Sequence, residues 1–393
     1  MRRQNKFPIK SVLIALLIVL LGVMIYNSGV LVKIGLLKSG IPEDIGIRPD
    51  DPRVIEKVDE SVDRGLVRRT VDELMGLITG KVKEGSIVIV TNDTAKTWGV
   101  EDMTFEIKNA VTGEVLEQVV TNSEGVAKSS PLKYKRAYEI RQIATAFPYE
   151  SSDETIVLEM KSPIMEIKFE QRVEEQVKKY ERDSNGNINV IEAFVPVELI
   201  FQKPELPNGC EITSLTSALN YNGYDIDKVT LSDEFLPMRP FYRKDGKLFG
   251  PHPDEAFSGN PRDGSGFYVF AGPTAKAGND YIKSVNGDHA IKDLTGSSRE
   301  AIIEYVKQGV PVVIWVTLEL NPPNFNYSWQ LENTGVEYKA LLNLHSVLIN
   351  GINGDQFNVM DPLKGNVEYD VTKLFESYES IGSRALVVLP LDN

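Results

Sequence analysis

The sequence predicts an α+β domain at the C-terminal end of the chain, preceded by a small β-sandwich and an N-terminal transmembrane helix. Three observations predict it. An uncharged apolar run opens the chain, short β-rich runs broken by turn residues fill 83–165, and beyond residue 194 helical patterns come first and strand patterns afterwards. At 393 residues the chain is too long for one core, and with 42% apolar and 25% charged residues most of it is expected to be globular. The net charge of −13 leaves no basic face to meet phosphates, so nucleic acid is not expected as a partner.

Residues 1–38 carry the membrane segment. "MRRQNKFPIK" supplies Arg2, Arg3, Lys6 and Lys10, and the stretch from Ser11 to Val32 has no charge. A membrane helix needs about 20 apolar residues, and basic flanks stay in the cytoplasm. A single-pass anchor in the cell membrane with the bulk of the chain outside is therefore expected. A cleaved signal peptide, with a secreted product, is the alternative, although no A-x-A-like site follows the run. Either way the chain is exported, and an exported chain with a single cysteine suits a bacterium and makes Cys210 a thiol rather than a cross-link. Residues 39–82 follow as a helical stalk, in which Leu66, Val71, Leu74 and Ile78 fall near helical spacing before Gly80.

Between 83 and 165 the runs "SIVIVTND", "MTFEIKNA", "GEVLEQVVTN", "AYEIRQI" and "ETIVLEM" alternate with turns such as "VTGE" and "NSEG". About seven strands are expected, enough for a sandwich. The order "FEIKNAVTGEVLEQVVTNSEGVAKSSPLKYKRAYEI" resembles the prealbumin-like repeat domains of Gram-positive surface proteins, the collagen-adhesin B-type or pilin-type family. The resemblance implies a possible Lys–Asn cross-link assisted by a buried acid. Gln142 stands near the acid's place, after Tyr138 and Ile140, so no cross-link is expected. In 166–193, "EIKFEQRVEEQVKKYER" sets Phe169, Val173, Val177 and Tyr180 on one helical face and predicts a linker helix. The following "DSNGNINVIE" has Asp183, Asn185 and Asn187 at calcium-loop spacing. Ile188 occupies the position that requires Gly and Phe194 the one that requires Glu, so it reads as a polar turn.

Residues 194–393 form the largest unit. Helices are expected after Cys210, near 273–284 and over 298–308. A buried strand "VPVVIWVTLEL" and a hairpin from "ALLNLHSVLINGI" to "DQFNVMDP" then follow. In "LPNGCEITSL", Asn208 or Gly209 can cap a helix whose face holds Ile212, Leu215 and Leu219 and whose end is Gly223. Cys210 then lies in the first turn, where free N–H groups and the helix dipole favour a thiolate, and a lowered pKa is expected. A small packed cysteine is the alternative. Of the three histidines, His252 and His289 lie in loop-like sequence and His345 in an apolar strand. A hairpin with the three-residue loop Ile352–Gly354 would set position 345 opposite Asp361. Together Cys210, His345 and Asp361 supply a thiol, a base and a group to orient the base.

The blocks "QKPELPNGCEITSLTSALNYNGY", "DEAFSGNP", "AGPTAKAGNDYI", "GVPVVIWVT", "HSVLINGI" and "VMDPLKGNVEYDVTKLFESYESIGSRAL" resemble, in order, the exported papain-like cysteine peptidases of Gram-positive bacteria. These are related to the double-glycine peptidases that process bacteriocins. The resemblance implies a papain-like fold, Cys210 as nucleophile, His345 as general base and acid, and Asp361 as its orienter. It also implies an oxyanion donor upstream of the cysteine. Gln202 is the candidate, at a wider spacing than papain-type chains have. No cofactor or metal is expected. The expected activity is that of an exported cysteine peptidase or amidase acting through a thioester on a peptide, a protein or a peptidoglycan stem peptide. The alternative is a surface adhesion or binding protein with an inactive papain-like head.

Overall fold

The computed structural model describes residues 83–391. The expected anchor (1–38) and stalk (39–82) lie outside the described residues. The chain divides into two compact units between Val173 and Glu174, and among the described residues no helix is long and apolar enough to cross a membrane.

The first unit is built of strands. They are β1 (Glu84–Asp93), β2 (Thr104–Asn109), β3 (Val115–Val120), β4 (Val126–Lys128), β5 (Leu132–Lys133), β6 (Ala137–Ala144), β7 (Thr155–Glu159) and β8 (Ile164–Gln171). One sheet has the order β4-β1-β5, with β8 also pairing β1, and the other runs β3-β2-β6-β7. Ile87, Ile89, Ile167 and Phe169 from the first sheet share a core with Phe105, Ile107, Ile140 and Leu158 from the second. Gln142 is buried, and its amide exchanges hydrogen bonds of 3.1 and 3.2 Å with Gln171.

The linker helix expected over 166–182 is not formed. Residues 164–171 are β8, parallel to β1 over Ser86–Asp93, and 177–182 are a further strand, β9. Two periodicities compete in this segment. Ile167, Phe169 and Gln171 are buried while Glu166, Lys168 and Glu170 are exposed, a period of two that the neighbouring strand rewards with a hydrogen-bonded ladder. The turn after β9 is polar: Asp183 Oδ1 accepts the Asn185 and Asn187 N–H groups.

The second unit is centred on an eight-stranded sheet whose strands all pair antiparallel. Its strands are β9 (Val177–Arg182), β10 (Ile188–Phe194), β11 (His289–Asp293), β12 (Val312–Thr317), β13 (Leu344–Asn353), β14 (Gln356–Asp361), β15 (Gly365–Asp370) and β16 (Ala385–Pro390). The order is β11-β16-β12-β13-β10-β9, with β14 paired to β13 and β15 to β14. The longer helices are α1 (Cys210–Tyr221), α2 (Ala271–Ser284), α3 (Arg299–Lys307) and α4 (Val371–Ser380). Ile212, Leu215 and Leu219 of α1 pack with Val313, Trp315, Leu348 and Met360 of the sheet. A smaller four-stranded sheet is formed by Tyr242–Lys244, Lys247–Gly250, Tyr327–Leu331 and Glu337–Ala340. His289 opens β11 rather than lying in a turn, because its strand pairs with the C-terminal strand up to Pro390.

The β13–β14 hairpin differs from expectation in its register. Asn353 pairs with Gln356, so the loop is the two residues Gly354 and Asp355, and Gly354 takes the left-handed φ of 61° that such a loop needs. That loop alone would put positions 345 and 361 on opposite faces. A β-bulge between Ile349 and Gly351 inserts one extra residue, Asn350, and restores the parity. Beyond the bulge Leu348 pairs with Met360. The bulged residue is held by β10's exit: Val195 N–H donates to the Asn350 carbonyl (2.8 Å), and Asn350 Nδ2 donates to the Val195 carbonyl (2.8 Å).

Candidate active site

Cys210 is the first residue of α1, and Gly209 caps the helix without a side-chain bond. Gly209 has an ordinary φ of −110°. What demands glycine is space, since a Cβ there would stand 2.6 Å from Leu206 Cβ. The approach to the helix is wired by main chain. Gly209 N–H donates to the Leu206 carbonyl (3.0 Å), Leu206 N–H to the Gln202 carbonyl (2.9 Å) and Asn208 N–H to the Pro261 carbonyl (3.1 Å).

Gln202 is buried in this loop, and its N–H donates to the carbonyl of Pro362, the residue after Asp361 (2.9 Å). Its side-chain Nε2 donates to the Pro207 carbonyl (2.7 Å), while Oε1 is buried without a partner among the described residues. One amide N–H is left for another acceptor. The structure therefore ties Gln202 to both the loop before Cys210 and the turn after Asp361.

His345 and Asp361 meet directly, Nε2 to Oδ1, at 2.9 Å, and both are buried. The sequence identified the pair but not its register, which the bulge supplies. Asp361 Oδ1 also accepts the Leu363 N–H (2.8 Å), and Oδ2 accepts the Tyr369 hydroxyl (3.1 Å). Burial works against a charge on Asp361. The hydrogen bond and charge of His345, with the Leu363 and Tyr369 donors, outweigh it and hold the carboxyl below its ordinary pKa. Lys364 Nζ extends the network, donating to Tyr369 Oη (3.0 Å) and pairing with Glu319 (2.6 Å).

Cys210 is buried, and the Ser346 backbone, one residue past His345, lies against its thiol. The thiol donates to Glu211 Oε2 at 3.3 Å, and among the described residues no hydrogen bond joins it to His345. Its pKa departs from expectation. Burial first, and the Glu211 carboxylate second, push it well above the ordinary thiol value, while the Ser346 backbone acts the other way. Desolvation here outweighs the helix dipole, which is worth about 0.3–2 kcal/mol.

Glu211 and Tyr369 are the residues sequence reasoning missed. Glu211 is fully buried, its Oε1 accepts the Val269 N–H (3.1 Å), and burial pushes its carboxyl up to about 7. An acid in a helix's first turn ordinarily signals a solvated, dipole-favoured group, so nothing local marked it. Tyr369 sits in a strand following a Pro turn, where only the β14–β15 pairing brings it back. His252 and His289 do not join the site. His252 packs on Tyr338, and His289 bonds Tyr224 and Asp288.

A buried thiol thus stands at the start of a helix packed against an antiparallel sheet that carries a His–Asp pair, and a family match supports a protein of the peptidase type. The chain belongs to the Peptidase_C39 like family, whose model matches residues 194–386. It is 31% identical over 186 residues to the uncharacterized protein YvpB of Bacillus subtilis, covering 47% of this chain and 70% of that one. Among solved structures it is similar to a C39-like peptidase from Bacillus anthracis, at 30% identity and a TM-score of 0.44, over 50% of this chain and 96% of that one. It is also similar to a double glycine motif protease from an AMS/PCAT transporter, solved with a leader peptide. That match has 19% identity and a TM-score of 0.30, over 50% of this chain and 94% of the other.

Proposed function

We propose that residues 194–391 act as a papain-like cysteine peptidase or amidase through Cys210, His345 and Asp361. The observation that carries the reading is the buried His345–Asp361 hydrogen bond of 2.9 Å on the strand whose next residue, Ser346, lies against the Cys210 thiol. With Nε2 held by Asp361, Nδ1 is the ring nitrogen left to take the thiol proton. The thiolate so formed is stabilised by the imidazolium, which offsets the cost of its burial. It attacks the carbonyl carbon of an amide. The developing oxyanion is held by the Cys210 N–H and the free N–H of the Gln202 amide. Imidazolium returns the proton to the leaving amine, and water, deprotonated by His345, releases the acyl group from sulfur as a carboxylate. Peptides, proteins and peptidoglycan stem peptides all present the required bond.

The basic flank and apolar run of 1–38 support an anchored, exported enzyme, with the β-unit as a pilin-type spacer between anchor and catalytic unit. The test is a tagged, cysteine-directed activity probe applied to the full chain, with recovery of the labelled peptide. Labelling of Cys210 that is lost in His345→Ala is the expected result. Labelling of Cys210 that survives His345→Ala unchanged would leave an inactive head on a binding protein.

A further inference from the structure

Glu211 is a fully buried carboxylate that the mechanism above does not use. Both its oxygens are engaged, one by the Cys210 thiol and one by the main chain. Oε2 accepts the Cys210 thiol (3.3 Å). Oε1 accepts the Val269 N–H (3.1 Å), while the Val269 carbonyl accepts the Trp315 indole N–H (2.9 Å). Trp315 is fully buried on β12, so Glu211 ties the first turn of α1 to the sheet through one backbone unit.

We propose that Glu211 is a positioning residue for Cys210: it holds the thiol in a protonated resting orientation and competes with His345 for the thiol proton. The proposal rests on the reading of Cys210 as nucleophile. Two adjacent anions in a dry site repel, so a thiolate at 210 and a carboxylate at 211 are mutually exclusive to a first approximation. The pair then titrates as a unit, with one proton shared between the two groups. The other titratable groups near the pair are His345 on β13, Asp361 on β14 and Tyr268 beside Val269, the last also feeling Arg384. Asp361 stays ionised through its bond to His345 and so adds to the pressure against a thiolate.

Cys210 is the only thiol in the chain, so alkylation by iodoacetamide reports on it alone. The rate is measured on the full chain from about pH 5 to about pH 9, for wild type and Glu211→Gln. Glutamine keeps the volume and an acceptor for the Val269 N–H but removes the charge. The expected result is a profile displaced to lower pH, with alkylation near neutrality faster by about tenfold, one pH unit of displacement. An unchanged profile in a folded variant overturns the proposal. If Glu211→Gln does not fold, the titration of the Glu211 carboxyl carbon by nuclear magnetic resonance decides between wild type and Cys210→Ala. Loss of the thiol donor should raise that titration, and no change overturns the proposal. His345→Ala separates this from the peptidase reading. If that substitution alters neither alkylation nor hydrolysis, the peptidase reading falls, while the Glu211 effect on alkylation is read without any substrate.

Discussion

His345 and Asp361 are not register partners, yet their side chains meet at 2.9 Å. The last recorded rung on that side is Leu348 with Met360, and continuing it sets Asp361 opposite Val347. His345 lies two residues further along the same face, a diagonal that a long side chain spans. The bond fixes the orientation of the ring, and the carboxylate would stabilise a positive charge on it in the mechanism proposed above.

Asp361→Asn should therefore keep the fold and lose part of the activity, while His345→Ala loses nearly all of it, on the order of 10²–10⁴-fold in kcat. Turnover of any substrate found for the enzyme, together with circular dichroism of each variant, checks this. Equal loss with unfolding in both would make Asp361 a turn residue. Because the native pKa of Asp361 is depressed, its contribution to stability is present above the ordinary carboxylate range. It is lost as pH falls through the native value. Acid unfolding of wild type should accordingly be steeper with pH than that of Asp361→Asn.

Tyr369→Phe removes one donor from Asp361 and the acceptor that Lys364 uses. A stability loss of about 1 kcal/mol and a several-fold fall in kcat are expected, with KM little changed. A change in KM alone would place Tyr369 at the substrate rather than behind the acid.

Gln202→Ala should lower kcat by about 10²–10³-fold if the amide holds the oxyanion. The melting temperature reads out the competing role, since the side chain also bonds the Pro207 carbonyl. A variant that melts early but turns over normally once folded would assign Gln202 to the loop.

Glu211→Gln should stabilise the protein at alkaline pH. The native carboxyl titrates near 7 against an ordinary value of 4.5. The folded state thus binds more protons than the unfolded state in that window, and stability falls as pH rises from about 4.5 to about 7. The loss is on the order of 3 kcal/mol. Glutamine imitates the protonated acid, so wild type and variant should be alike near pH 4 and diverge by pH 8, as measured by denaturant unfolding. Parallel curves at both pH values would place the charge outside the dry site.

Much of the second unit can be read directly from the sequence, because local chemistry and long-range packing agree there. The apolar positions of α1, the Ser298 cap of α3 and the continuous apolar run of β12 each point to one structure. Cys210, His345 and Asp361 stood out by residue type and order. What sequence reasoning missed is decided by distant partners. Phe169, Val177 and Tyr180 fit a helix as well as they fit strands until β1 and β10 supply the ladders. The raised pKa of Cys210 could not be read from its place on a helix, because burial beside an acid outweighs the helix dipole.

The extra residue at Asn350 turns the site into a matter of counting. A hairpin without it would run as an unbroken ladder, with no carbonyl needing rescue by Val195. It would also present Asp361 to the wrong side of the sheet. A search for sturdier versions of this protein would therefore be drawn toward losing that residue, and what it selected would be robust, well folded and silent.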